Sequence, residues 1–120
     1  MECYGCQCRK ARKQHKCEEC RGTIAVGEVY NYHHGVLDGT GVSYKVCTDC
    51  ETLRDDINKA WDVAGTDEQV PFTALYESVF EAHDRERWIP RYLANCRKRG
   101  APIAEWMVKR ESQLLQTATA

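Results

Sequence analysis

Two C-x-x-C pairs, Cys17-Glu18-Glu19-Cys20 and Cys47-Thr48-Asp49-Cys50, carry the clearest chemistry in this chain, with 26 residues between them. A C-x-x-C turn presents two thiolates from one tight loop whose amides can hydrogen-bond the sulfurs. Two such turns complete a tetrahedron of soft ligands around zinc. The spacer exceeds the roughly 15–20 residues of the usual pattern, so the hairpin between the pairs must be larger. A redox role would want a βαβ pattern around one pair, and neither pair has one. Three further cysteines, Cys3, Cys6 and Cys8, run as C-x-x-C-x-C, and His15 is the nearest residue able to add a fourth ligand to them. The expectation is one zinc on Cys17, Cys20, Cys47 and Cys50, and a second where the N-terminal thiols close on His15 or bridge two chains. Cys96 falls on an apolar helical stripe and reads as a small core residue.

Charge supplies the next candidates. Between Arg9 and Lys16 stand five Lys/Arg and no acid. Arg9, Lys10, Arg12, Lys13 and Lys16 could contact phosphates, with Tyr4, Tyr30 or Tyr32 as stacking groups, or could form a solvated linker between two zinc knuckles.

These residues need elements to position them. Thr23–Tyr32 and Val42–Val46 carry the β-branched and aromatic bias of strands, and the span His34–Gly41 between them is turn-prone, which predicts one or two short hairpins. From Glu51 to Ala64 the apolar residues Leu53, Ile57, Ala60, Trp61 and Ala64 recur at helical spacing. Thr48 lies three residues before Glu51 in a capping-box pattern, so the second C-x-x-C is expected to open a helix. A polar break, Gly65–Pro71, precedes a second stripe of Leu75, Tyr76, Val79, Phe80 and His83. Pro90 is expected at the first turn of a third helix, ending in Arg97-Lys98-Arg99 and stopped by Gly100. Pro102 is expected to open a fourth, with Ile103, Trp106, Met107 and Leu114 on its apolar face and a frayed tail from Thr117 to Ala120. Trp61, Tyr76, Phe80, Trp88, Tyr92 and Trp106 would build a core around a knuckle poor in apolar residues of its own.

A first pair on a hairpin knuckle and a second at a helix N-terminus is the element order of a treble-clef finger. The residues Arg12-Lys13-x-His15-x-Cys17-x-x-Cys20-x3-Ile24-x2-Gly27-Glu28-x-Tyr30, then Asp38-Gly39 and Tyr44-x2-Cys47-x-x-Cys50, resemble the small LIM-like, treble-clef zinc proteins of tailed bacteriophages over about residues 9–53. The resemblance implies a zinc fold and a phage origin, and little about function. His33 lies thirteen residues after Cys20, close to where treble-clef nucleases of the HNH class that carry structural C-x-x-C pairs place a general base. Such a site also needs an Asn to orient the His and a further His or Asn after the second knuckle to hold the cation. Glu51-Thr52-Leu53 follows Cys50 instead, so His33-His34 is read as a solvent-facing pair at a strand end.

At 120 residues the chain is about one domain's worth, too short for an enzyme core plus a regulatory module. With 42% hydrophobic and 29% charged residues it belongs with soluble globular chains. Its first twenty residues hold no apolar stretch of signal-peptide type, so a cytoplasmic location is expected, the bacterial host's if the chain is phage-encoded. The net charge of −1 conceals segregation. Asp49–Asp84 holds ten Asp/Glu against two Lys/Arg, and Arg85–Arg110 eight Lys/Arg against two Glu. A pI of 6.4 lacks the whole-chain basic signature of a nucleic-acid binder. The sequence therefore leads to an α+β chain: a zinc-stabilised treble-clef or LIM-like module at 1–53, and a bundle of about four helices at 54–120 packed on it. The first functional expectation is a non-enzymatic adaptor or inhibitor that binds a host or phage macromolecule, with Trp106 as the candidate contact. A nucleic-acid-binding regulator using the stretch 9–16 is the alternative, and a degenerate HNH-like nuclease the third.

Overall fold

Strand-forming residues in the first half and helical stripes in the second divide the chain into an α+β fold. The computed structural model describes residues 2–66, 68–71, 73–82 and 84–119, with side chains for all of these except 2–6, 37, 115 and 117–119. The elements are β1 (Glu2–Lys10), β2 (His15–Lys16), β3 (Thr23–Ile24), β4 (Val29–Leu37), β5 (Thr40–Cys47), α1 (Thr48–Val63), α2 (Leu75–Glu81), α3 (Arg85–Lys98) and α4 (Glu105–Thr119). A three-stranded antiparallel sheet runs in the order β1-β4-β5, and β2 and β3 form a separate two-stranded ribbon.

The main hairpin is longer than its composition suggests. Instead of a loop over His34–Gly41, β4 continues to Leu37 and β5 resumes at Thr40. Only Asp38 and Gly39 turn the chain, with φ of 52° and 80°. Two positive-φ residues in succession make a tight turn whose twist matches the flanking strands, and Asp-Gly tolerates it. His33 thus sits inside β4, opposite Cys6 of β1 and Tyr44 of β5, and not at a strand end. The terminal segment is also a strand: β1 pairs along β4, with Cys8 opposite Asn31 and an irregularity between Cys3 and Gly5. It has no β-branched residue, so its pairing is tertiary in origin and left no local signal.

The start of α1 and the end of α3 have local causes. The N-cap of α1 is Cys47 and not Thr48: its Sγ accepts from the Cys50 amide at 3.4 Å. The cap therefore lies one residue before the expected Thr48 and is made by a sulfur. Asp49 and Glu51 then complement the positive end of the helix. In α3, Pro90 lies well inside the helix, which starts at Arg85, and not in its first turn. The carbonyl that loses its partner is that of Glu86, an exposed residue open to water, while Trp88 and Ile89 in the preceding turn are fully buried and hold the helix in place. Gly100 ends α3 at φ 65°, with its amide bonded to the Arg97 carbonyl and that of Ala101 to Cys96, a Schellman closure. Pro102 lies outside α4, whose backbone stays helical through Thr119.

One core runs through the molecule. Ile24, Val46, Leu53, Ile57, Leu75, Val79, Trp88, Ile89 and Leu93 are fully enclosed, and Cys17, Cys20, Cys47, Cys50 and Cys96 are buried with them. Tyr76 and Phe80 pack partly against it, while His83 lies outside the described residues. No helix among the described residues is long and apolar enough to cross a membrane.

Candidate metal centre

The two C-x-x-C turns meet. The β2–β3 ribbon delivers Cys17 and Cys20 from its knuckle, and the β5–α1 junction delivers Cys47 and Cys50, so that all four sulfurs lie within 4.8 Å of one another. Ligands at about 2.3 Å in a tetrahedron stand about 3.8 Å apart. Cys20 Sγ and Cys47 Sγ are 4.0 Å apart. Among the described residues this is the one group of three or more metal-capable side chains, and it is compatible with a single tetrahedral ion. Each sulfur also has a donor beside it. The amides of Glu19 and Cys47 point at Cys17 Sγ at 3.4 Å each, that of Gly22 at Cys20 Sγ at 3.3 Å, that of Cys50 at Cys47 Sγ, and Asn95 Nδ2 at Cys50 Sγ at 3.9 Å. Such bonds disperse thiolate charge and fix ligand direction. Hydrogen bonds from the other three thiols hold Cys17 far below the ordinary thiol pKa, and hydrogen bonding to Cys17 and Cys20, before burial and the charge of Cys17, pushes Cys47 and Cys50 far above theirs. All four could ionise together at this distance only around a cation.

The surrounding residues explain how the knuckle keeps its shape. Glu19, buried inside the first C-x-x-C, pairs through its carboxylate with the buried guanidinium of Arg54 on α1. Its carbonyl accepts from Tyr92 Oη on α3 at 3.4 Å. Burial lowers Arg54 to about 10, which still leaves it charged at neutral pH. Arg21 adopts φ 64°, and Gly22 has no room for a side chain: a Cβ there would stand 2.3 Å from Arg99 Cβ. Arg99 in turn donates to the Thr23 carbonyl at 3.1 Å and reaches Glu28 at 2.6 Å and Asp49 at 3.0 Å. Burial alone would weaken its charge, but the two carboxylates outweigh that and raise its pKa. The end of α3 therefore clamps the first knuckle to the helix that carries the second. Glu19, Gly22, Arg54, Asn95 and Arg99 all escaped sequence reasoning. The one visible signal was an acid inside a C-x-x-C.

The other predicted residues fall elsewhere. Cys8 is exposed and lies 3.8 Å from Asn31 Nδ2, and His15 packs its ring 5.4 Å from that of Tyr30. The side chains of Cys3 and Cys6 lie outside the described residues. Cys96 is a buried core residue, and burial raises its pKa. The solvent-facing reading of His33 is overturned: it is only 5% exposed, and its Nε2 meets Glu51 at 2.7 Å. Arg54 stands 3.5 Å from the same carboxylate, so the first residue after the second knuckle is already engaged by both His33 and Arg54.

Of the basic stretch, Arg9, Lys10, Arg12 and Lys13 line an open groove that His15 and Lys45 share, while Lys16 donates to Thr23 Oγ1 outside it. Burial first, then Lys45 and Lys13, lower the pKa of His15. Trp106 is 47% exposed and stacks edge-on against Phe80, with centroids 4.8 Å apart. The two rings line a cleft of about 350 Å³ between α2 and α4 that Tyr76, Glu77, Glu81 and Arg110 complete. No family model, curated protein or solved structure matches the chain, so the meaning of these sites rests on their geometry.

Proposed function

We propose that this chain is a small, non-enzymatic zinc-binding adaptor or inhibitor that acts by docking on another macromolecule. The carrying observation is the closure of the thiol cluster: Cys17, Cys20, Cys47 and Cys50 are each at most 2% exposed. Four buried protein ligands fill a tetrahedron and leave no position for substrate, which makes the ion a structural element. An all-sulfur tetrahedron suits zinc, a d10 ion with no redox chemistry. The order of knuckle, hairpin and helix N-terminus supports a treble-clef, LIM-like reading of the first half, and with it a kinship to the small zinc proteins of tailed bacteriophages acting in the host cytoplasm. A nuclease finds least support, because His33 is committed to Glu51 and Glu51 in turn to Arg54.

The docking surface in this reading is the cleft between α2 and α4. Trp106 is a large aromatic left half open beside Phe80 and Tyr76, the composition of a binding hot spot. The test is capture from a nuclease-treated bacterial lysate with the zinc-loaded chain. A protein should be retained by the natural sequence and lost with Trp106→Ala, at a cost of about 2 kcal/mol or more in affinity, while metal content and circular dichroism stay native. Capture indifferent to Trp106→Ala would place the surface elsewhere.

A further inference from the structure

The second half of β1, the turn after it and Lys45 of β5 enclose an open groove of about 1220 Å³. Its walls carry Arg9, Lys10, Arg12, Lys13, His15 and Lys45, and among the described residues no carboxylate lines it. The nearby Glu28 is turned away, engaged by Arg99 at 2.6 Å and by the Ala25 amide at 3.0 Å. Arg9 is held in place: its guanidinium lies 3.8 Å from the Tyr32 ring centroid and donates twice to Gln7 Oε1, at 2.9 and 3.1 Å. Lys45 flanks the same ring at 5.9 Å from its centroid. A chain of net charge −1 has thus concentrated cations of two strands and a turn in one concavity. A low whole-chain pI does not oppose this, because a polyanion responds to the local field.

We infer that this groove is a phosphate-backbone site for nucleic acid, read by charge and not by base sequence. Size excludes a single small phosphate as the natural occupant, since ligand pockets of about 300–1,000 Å³ already enclose drug-sized molecules. The chemistry of the walls disfavours an acidic protein, because protein interfaces depend on aromatic and apolar anchors and the exposed side chains here are mainly cations. Base stacking contributes little: Tyr30, the aromatic ring in the groove, is 5% exposed and covered by His15. Binding is therefore dominated by ion release from a duplex, with an affinity of the non-specific kind, about 10⁻⁴ to 10⁻⁶ M at physiological salt. This site rests on the binding role proposed above and is independent of the Trp106 cleft.

The experiment is anisotropy titration of a labelled DNA duplex of arbitrary sequence with the zinc-loaded chain over a series of salt concentrations. Log K should fall linearly with log salt, and Arg12→Gln, Lys13→Gln and Lys45→Gln should each flatten the slope by about 0.9 per phosphate contact removed. Arg12→Lys should keep the slope, and Trp106→Ala should leave the titration unchanged. Arg12 and Lys13 are exposed, and the metal content of each variant reports its fold separately. The inference falls if the folded, metal-loaded chain shows no salt-dependent duplex binding, or if the groove variants bind like the parent. It also falls if a polyglutamate peptide displaces the duplex at lower concentration than unlabelled duplex does, which would assign the groove to an acidic protein. No lysate capture by the natural sequence, with an intact salt slope, would strike the cleft alone, and a flat slope with intact capture would strike the groove alone.

Discussion

The thiol-organised half and the helical half enclose their cores by different means. Up to Leu53, the buried apolar residues among the described side chains, besides the four cluster cysteines, are Ala11, Ile24, Tyr30, Val46 and Leu53, too few to exclude water from five strands. From there onward, among the described residues, the same role falls to Ile57, Val70, Leu75, Val79, Ala82, Trp88, Ile89, Tyr92, Leu93 and Cys96, with Trp88 wholly enclosed. A small domain short of apolar surface needs a staple, and a structural metal is one. The halves are nonetheless joined, because Tyr92, Asn95 and Arg99 of a single helical stretch all reach the knuckles. The contrast teaches where each kind of damage should be felt.

The severest way to test it is to remove the staple. Cys47 is both a candidate ligand and the N-cap of α1, so Cys47→Ser removes a sulfur from the cluster and a cap from the helix that joins the halves. Structural zinc contributes apparent binding energies of about 10–16 kcal/mol, comparable to or larger than the net stability of a domain, about 5–15 kcal/mol. The expected outcome is loss of both bound metal and folded structure, read by mass spectrometry of the purified chain and by circular dichroism. A metal-free variant with native helicity would show instead that the thiols pack as ordinary apolar groups and that the first half needs no ion.

A strike on the second core should be milder. Trp88 is fully buried, with Nε1 donating to Asp84 Oδ1 at 2.9 Å. Trp88→Ala should cost about 3–5 kcal/mol through lost burial and the cavity left behind. The urea midpoint should drop sharply, yet one metal per chain should remain, because the hydrogen bond of Trp88 goes to Asp84 and the cations over its ring are Arg87 and Arg91, none of them on a knuckle. If metal is lost along with packing, the halves form one cooperative unit and the contrast between them is only compositional.

The legible parts of the molecule were those with short-range causes. Both C-x-x-C turns, the helix following the second, the Gly100 stop and the aromatic core of α3 each follow from residues within a few positions of one another. What was missed depended on partners far away in the chain. His33 was read as solvent-facing because its partner Glu51 arrives 18 residues later on another element. Arg99 looked like one cation in an Arg97-Lys98-Arg99 run that ends a helix, whereas it is 7% exposed and meets Glu28 and Asp49. The basic stretch looked linear, and only the sheet adds Lys45 to make it a groove. The turn between β4 and β5 was overestimated because polar and glycine residues resemble a loop even when just two of them turn.

The gentlest test concerns the outermost attachment, α4 on α3. Arg97 donates to both carboxylate oxygens of Glu111, at 2.7 and 3.0 Å, and that bond lowers the pKa of Glu111. A depressed carboxylate contributes stability in full above its unfolded value, about 4.3, and loses it as pH falls through the folded value. That window lies where protonation of thiols would already have released a bound metal, so neutral pH is the place to measure. Arg97 is half exposed, and an ion pair so placed is worth about 1 kcal/mol at most. Glu111→Gln should therefore speed amide exchange within α4 by no more than about fivefold, with no change at the knuckles. The effect should shrink at about 1 M salt, where screening acts within about 3 Å. Exchange that is unchanged by the substitution would mean that Ile103, Met107 and Leu114, which pack partly on the core, hold α4 without help from charge.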